Sequence, residues 1–124
     1  MATILLAEDD KAVREFVTRA LQHRGHEIVA VEDGLLALEI LQHREFDLLV
    51  TDIVMPGMDG IALALKLAKD KPQLRILMMS GYSAERQRAH NLDELIHTVL
   101  PKPFTLIEIC DAVDKALKKP GLNT

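Results

Sequence analysis

The sequence predicts an α/β domain built on a parallel sheet with helices on both faces. Three observations lead there. Short runs of apolar and β-branched residues alternate with stretches of helical periodicity, the order that crossover helices between parallel strands produce. The central runs TILLA, DLLVT and RILMMS are apolar almost without interruption, as strands covered on two faces are. The 124 residues, 48% hydrophobic, are enough for one domain with one core and too apolar for disorder.

Thr3–Ala7 is the first expected strand. Beyond it Val13, Phe16, Val17, Ala20 and Leu21 recur at helical spacing, with Asp10 as N-cap and Gly25 as the stop. Residues 27–32 form the second strand. Asp33 and Gly34 open a second helix through Leu41, with Ala37, Leu38, Ile40 and Leu41 largely inward. Residues 47–51 form the third strand. Asp59 and Gly60 open a third helix to about Lys69. On it Ile61, Ala64, Leu65 and Ala68 share one face. Leu63 and Leu67 fall roughly opposite, on an outer face that is either harmless or part of a docking patch. Arg75–Ser80 is the fourth strand. Residues 82–100 hold a polar fourth helix and then a short fifth strand near 98–100. A fifth helix follows, striped by Leu106, Ile109, Cys110, Val113 and Leu117. The ending PGLNT reads as a breaker and a frayed tail. The expected organisation is one domain over residues 1–119, a tail over 120–124 and no output domain.

Composition argues against several functions. Aromatic residues make up 3% with no Trp, and 15 basic against 19 acidic residues leave a net charge of -4. Neither a base-stacking surface nor a basic patch for nucleic acid is expected. No apolar run approaches the length of a membrane span. The start MATILLAEDD has no basic segment before its apolar run, so it reads as a strand rather than a secretory signal. Cys110 is the one cysteine and has no internal disulfide partner, which sets a reducing, cytoplasmic location as the expectation. It lies on an apolar stripe and reads as core. His23 and His26 are spaced like a metal pair but lack further ligands, and read as surface residues. His43, His90 and His97 have no evident partners. Met78 and Met79 read as packing.

In open parallel sheets, sites form outside the carboxyl ends of the strands. Here the first strand runs into Glu8, Asp9 and Asp10, the third into Asp52, the fourth ends on Ser80, and Lys102 follows the fifth. Each alone has a plain reading. Asp52 could be a turn residue before Pro56. The acids after the first strand suit a helix N-terminus, which is the better reading for Asp10. Ser80-Gly81 is a common loop pair, and a lysine before proline is ordinarily solvated. Together they are a different matter. Glu8, Asp9 and Asp52 would repel one another and call for a cation, and hard oxygen ligands with room for water suit Mg²⁺. Phosphoryl transfer uses such a set: a metal, a lysine and a hydroxyl hold phosphoryl oxygens, and a carboxylate can be the nucleophile.

The segments ILLAEDD, DIVMPGMDG, MMSG and KPF, in this order and each at a strand end, resemble the receiver domain of two-component response regulators over nearly the whole chain. The resemblance implies a flavodoxin-like or CheY-like fold, doubly wound, with five strands in the order 2-1-3-4-5 and five helices. It implies that Asp52 accepts a phosphoryl group from a histidine kinase or histidine phosphotransferase. Asp9, Asp52 and the backbone carbonyl of Val54 would ligate Mg²⁺, with Glu8 helping, in part through water. Ser80 would move to hold a phosphoryl oxygen. Lys102 would hold another, or pair with Asp52 when phosphate is absent. The Lys102–Pro103 bond would be cis, and Pro56 and Gly57 would shape the loop. Such a chain is not an enzyme on a separate substrate; it catalyses its own phosphorylation and dephosphorylation.

Two positions depart from the pattern. Many receivers carry a switch aromatic three residues before the lysine, where this chain has Val99; the nearest aromatic is Tyr82. Either Tyr82 takes part of that role or the loop after Ser80 shifts alone. The resemblance also implies that Val54 and Tyr82 flank the path of a hydrolytic water. Neither is a good base near neutral pH, so a long-lived acyl phosphate is expected. Without an output domain, the signal would pass through a protein contact. The face of the fourth helix, fifth strand and fifth helix is the expected surface, with the chain a monomer or a weak dimer through it. The run SGYSAERQRAHNLDELIH resembles a narrower group of stand-alone receivers tied to alphaproteobacterial cell-cycle control. In that group, protease or adaptor machinery is the expected target. The main alternative is a small Mg²⁺-dependent phosphatase with an aspartyl-phosphate intermediate. Phosphatases of the haloacid dehalogenase type need a second aspartate two residues after the nucleophile, and here Val54 stands there. A nucleotide-binding domain would need a glycine-rich phosphate loop that this chain lacks. A constitutive pseudo-receiver fits poorly with an intact acidic set.

Overall fold

The computed structural model describes residues 2–81 and 98–118. Five parallel strands form one sheet in the order β2-β1-β3-β4-β5. They are β1 (Thr3–Ala7), β2 (Glu27–Val31), β3 (Leu48–Asp52), β4 (Arg75–Ser80) and β5 (Thr98–Pro101). The expected fold class and strand order therefore hold, with ends displaced by a residue on β2, β3 and β5. The described helices are α1 (Lys11–His23), α2 (Gly34–Leu41), α3 (Gly60–Asp70) and a C-terminal helix (Leu106–Lys118). The fourth of the five expected helices falls on residues 82–97, outside the described residues.

Side chains alternate across each strand, and this builds two cores. Ile4, Leu6, Leu48, Val50, Leu77 and Met79 face α1 and the C-terminal helix, meeting Val17, Leu21, Ile109, Cys110 and Val113. Leu5, Ala7, Leu49, Ile76 and Met78 face α2 and α3, meeting Ala37, Leu41, Leu63, Ala64 and Leu67. Met78 and Met79 are both packing residues, one on each side of the sheet, and Cys110 is core.

Three helices begin alike. Asp10, Asp33 and Asp59 are N-caps whose carboxylates accept from the backbone N–H groups of Val13, Leu36 and Ala62. Each satisfies a donor that the first turn leaves orphaned, and its loss costs about 1 kcal/mol. The C-terminal helix opens with a capping box that the sequence reading missed: Glu108 N–H donates to Thr105 Oγ1, and Thr105 N–H to Glu108 Oε1. Gly25 ends α1 with φ of 91°, a backbone that glycine reaches without strain.

Three apolar assignments change. On α3 the inward face carries Ile61, Leu63, Ala64 and Leu67, while Leu65 is 50% exposed. The outer face expected for Leu63 and Leu67 is thus an inner one. The reason is Gly60. A Cβ there would lie 2.3 Å from the Asp52 carbonyl oxygen, so α3 starts pressed onto the end of β3, and that contact sets its rotation. Phe16 is 40% exposed and its ring leans toward Phe104, with centroids 6.3 Å apart. Leu106 is exposed, and Ala116 takes a buried place on that stripe. His26 is half-buried rather than a plain surface residue: its Nδ1 accepts from the Ala2 N–H at 3.1 Å.

Candidate functional site

Register brings the acidic residues together. Parallel pairing sets Ala7 beside Thr51, so the next residues, Glu8 and Asp52, leave neighbouring strands side by side. Asp52 pairs with Met79, and Ser80 pairs with Pro101. Ser80 and Lys102 therefore reach the same edge from the other direction. Together with Asp9, Asp10, Val54 and Gly81 they line a cleft of about 370 Å³. A larger hollow of about 470 Å³ lies between the far ends of α2 and α3. There Lys71 is paired with Glu45 at 3.0 Å, and among the described residues the three converging carboxylates lie at the smaller cleft.

Glu8, Asp9 and Asp52 each offer a carboxylate oxygen, and these atoms lie within 4.8 Å of one another. Glu8 is fully buried, Asp52 and Ser80 are buried, and Asp9 is exposed. Glu8 Oε2 accepts from the Asp10 N–H at 3.0 Å, and Asp52 Oδ1 accepts from the Ile53 N–H at 2.9 Å. Lys102 Nζ lies 2.7 Å from Glu8 Oε1 and 3.3 Å from Asp52 Oδ2. The expectation placed Lys102 on Asp52. It contacts both and sits closer to Glu8, the carboxylate with no solvent to replace a counter-charge.

Among the described residues the charges do not balance: three carboxylates face one ammonium. Burial pushes Glu8 above the usual carboxylate range; Lys102 opposes this, and the Asp52 charge adds to it. Burial likewise pushes Asp52 up, against the pull of Lys102 and with a smaller push from Asp9. For Lys102, burial alone would ease loss of its proton, but the hydrogen bond to Glu8 and the fields of Asp52 and Glu8 outweigh it and raise its pKa. All three groups hold protons more tightly, the two carboxylates chiefly because they are buried and the lysine because of the carboxylates beside it. A divalent cation would remove the excess of negative charge, and hard oxygen donors with open solvent on the Asp9 side fit Mg²⁺.

The other expected residues are placed as follows. Val54 is 48% exposed at the rim. Val99 is half-buried on β5, paired with Met78. The Lys102–Pro103 bond is cis. Tyr82 lies outside the described residues. Two supporting residues escaped the sequence reading. Thr51 Oγ1, fully buried, donates to the Asp52 carbonyl at 2.9 Å, and Arg14 donates to the Glu8 carbonyl at 2.8 Å. Contacts to backbone carbonyls leave no side-chain pattern by which a sequence could reveal them.

A five-stranded parallel sheet in this order, with an acidic cluster and a lysine at its carboxyl edge, defines a receiver module. The chain matches the response regulator receiver domain family over residues 4–114 and belongs to it; it is a signalling module. It is 39% identical over 117 residues to the response regulator receiver protein CpdR of Brucella abortus (strain 2308), covering 94% of this chain and 98% of that protein. It is 42% identical over 121 residues to part of the sensor kinase CckA of the same organism, covering 95% of this chain and 13% of that protein. Among solved structures, the response regulator TrrA of Thermotoga maritima, in complex with Mg²⁺-BeF, is 30% identical with a TM-score of 0.84. That likeness covers 94% of this chain and 99% of that one. The chemotaxis response regulator CheY4 of Vibrio cholerae is 26% identical with a TM-score of 0.81, covering 94% and 98%. No described helix is long and apolar enough to cross a membrane.

Proposed function

We propose that Asp52 is the phosphoacceptor of a phospho-switchable binding module, taking its phosphoryl group from a histidine kinase or histidine phosphotransferase. The observation that carries this reading is the convergence of the Glu8, Asp9 and Asp52 carboxylates with the Lys102 ammonium at one sheet edge. An Asp52 oxygen attacks phosphorus in line. The P–N bond of the donor phosphohistidine breaks, and the freed imidazole nitrogen keeps the electron pair and takes a proton. Lys102, already 3.3 Å from Asp52 Oδ2, stays within reach of a phosphoryl oxygen. Ser80, at the end of the neighbouring strand, takes another. Glu8, Asp9, Asp52 and the Val54 carbonyl would hold Mg²⁺, which when bound neutralises charge on the phosphoryl oxygens.

The output is a protein contact, and the likeness to CpdR over nearly that protein's full length supports this. We read the target as protease or adaptor machinery under cell-cycle control, reached through the surface that includes β5 and the C-terminal helix. Intact mass after incubation with Mg²⁺ and acetyl phosphate tests the chemistry. One added phosphoryl group is expected in the wild type and none in Asp52→Asn. Equal labelling of both would remove Asp52 from the role.

A further inference from the structure

Arg14 lies in the first turn of α1, and its guanidinium turns back toward the end of β1. Nη1 donates to the Glu8 carbonyl at 2.8 Å and reaches the Asp9 carbonyl at 3.4 Å. These are the backbone oxygens of the two residues whose side chains leave β1 for the acidic cleft. The same turn is tied elsewhere. Glu8 N–H donates to the Val31 carbonyl, and Arg14 N–H to the Asp10 carbonyl. Asp10 N–H donates to the Glu8 carboxylate. The guanidinium supplies donors that the backbone past the end of β1 does not.

We propose that Arg14 is a positioning residue for the metal site: it fixes the turn from which Glu8 and Asp9 aim their carboxylates. This rests on reading the cleft as a Mg²⁺ and phosphoryl site. Two opposite effects are in play, and their signs differ. A guanidinium beside a dication site repels the ion, so by charge alone its removal should tighten Mg²⁺ binding. As a clamp on the backbone that carries two ligands, its removal should weaken binding. Losing such outer partners typically costs on the order of 10–100-fold in metal affinity.

The experiment is a Mg²⁺ titration of the full chain, followed by the amide shifts of Asp9 and Asp52. It compares wild type, Arg14→Gln, Arg14→Lys and Lys11→Gln. Lys11 is exposed in the same turn, so Lys11→Gln removes an equal charge without touching either carbonyl. Arg14→Gln is expected to bind Mg²⁺ about tenfold more weakly, with Arg14→Lys in between and Lys11→Gln equal to wild type or tighter. Arg14→Gln equal to wild type or tighter overturns the proposal, as does a Lys11→Gln loss of the same size. Should Arg14→Gln fail to fold, Arg14→Lys decides, and wild-type affinity in it overturns the proposal. A wild type whose amides ignore Mg²⁺ sinks the site reading and this inference together. A responsive wild type with indifferent Arg14 variants sinks the inference alone.

Discussion

Lys102 stands between two buried carboxylates, and burial together with the charges around it decides how each group holds its proton. Glu8 and Asp52 bind protons more tightly in the folded chain than in the unfolded one, chiefly because they are buried. Stability from these groups therefore falls as pH rises from the unfolded carboxylate pKa of about 4 through their raised folded values. At neutral pH both are a cost. Asp52→Asn is expected to raise the melting temperature by several degrees at pH 7 and to give no gain near pH 4. Lys102 is shifted in the same direction but titrates far higher, so at neutral pH it stabilises where the carboxylates cost. Its raised pKa means its stabilisation is complete at neutral pH and is lost only as pH rises through the folded value. Lys102→Met strands the fully buried Glu8 carboxylate and is expected to cost about 3–5 kcal/mol at pH 7. Urea unfolding of both variants at the two pH values checks this. An Asp52→Asn protein no more stable than wild type at pH 7 would mean that the carboxylates are already neutralised.

At the scale of the element, α3 shows how a helix is rotated by one contact. Its apolar residues lie on both sides, since Ile61, Leu63, Ala64, Leu65 and Leu67 leave no clean polar stripe. Periodicity alone does not say which side faces the sheet. The close approach of Gly60 to the Asp52 carbonyl does, and it turns Leu63 and Leu67 inward and Leu65 outward. Leu63→Ala should therefore cost about 2–5 kcal/mol by leaving a cavity. Leu65→Ala should stay within about 0.5 kcal/mol of wild type. Denaturant midpoints of the two variants measure the difference, and equal costs would put both leucines in equivalent surroundings. The same contact places the start of α3 against the backbone of Asp52.

Over the whole molecule, the acidic cleft links binding to stability. Any ligand that binds only the folded chain stabilises it by an amount set by its concentration relative to Kd, about 2.7 kcal/mol at one hundred times Kd. Mg²⁺ should raise the melting temperature of the wild type along that curve. Asp9→Ala removes the exposed carboxylate of the Glu8, Asp9 and Asp52 cluster. It should melt no lower than wild type without Mg²⁺ and respond little when the ion is added. A Mg²⁺-dependent rise of equal size in Asp9→Ala would place the ion elsewhere.

Much of this protein follows from short-range features of the chain. Strand and helix alternation set the fold class. Asp10, Asp33 and Asp59 mark three helix starts because capping is a contact across three residues. Glu8, Asp9, Asp52, Ser80 and Lys102 were legible because each falls at or just past a strand end, and parallel strands bring such ends to one edge. Tertiary structure decided the rest, for reasons of distance along the chain. Lys102 sits closer to Glu8 than to Asp52, a placement set by how the ends of β1, β3 and β5 come together across distant parts of the chain. The inward face of α3 depends on how closely Gly60 meets β3. Arg14 and Thr51 act on backbone carbonyls, which every residue carries alike, so no residue type in the sequence could mark them.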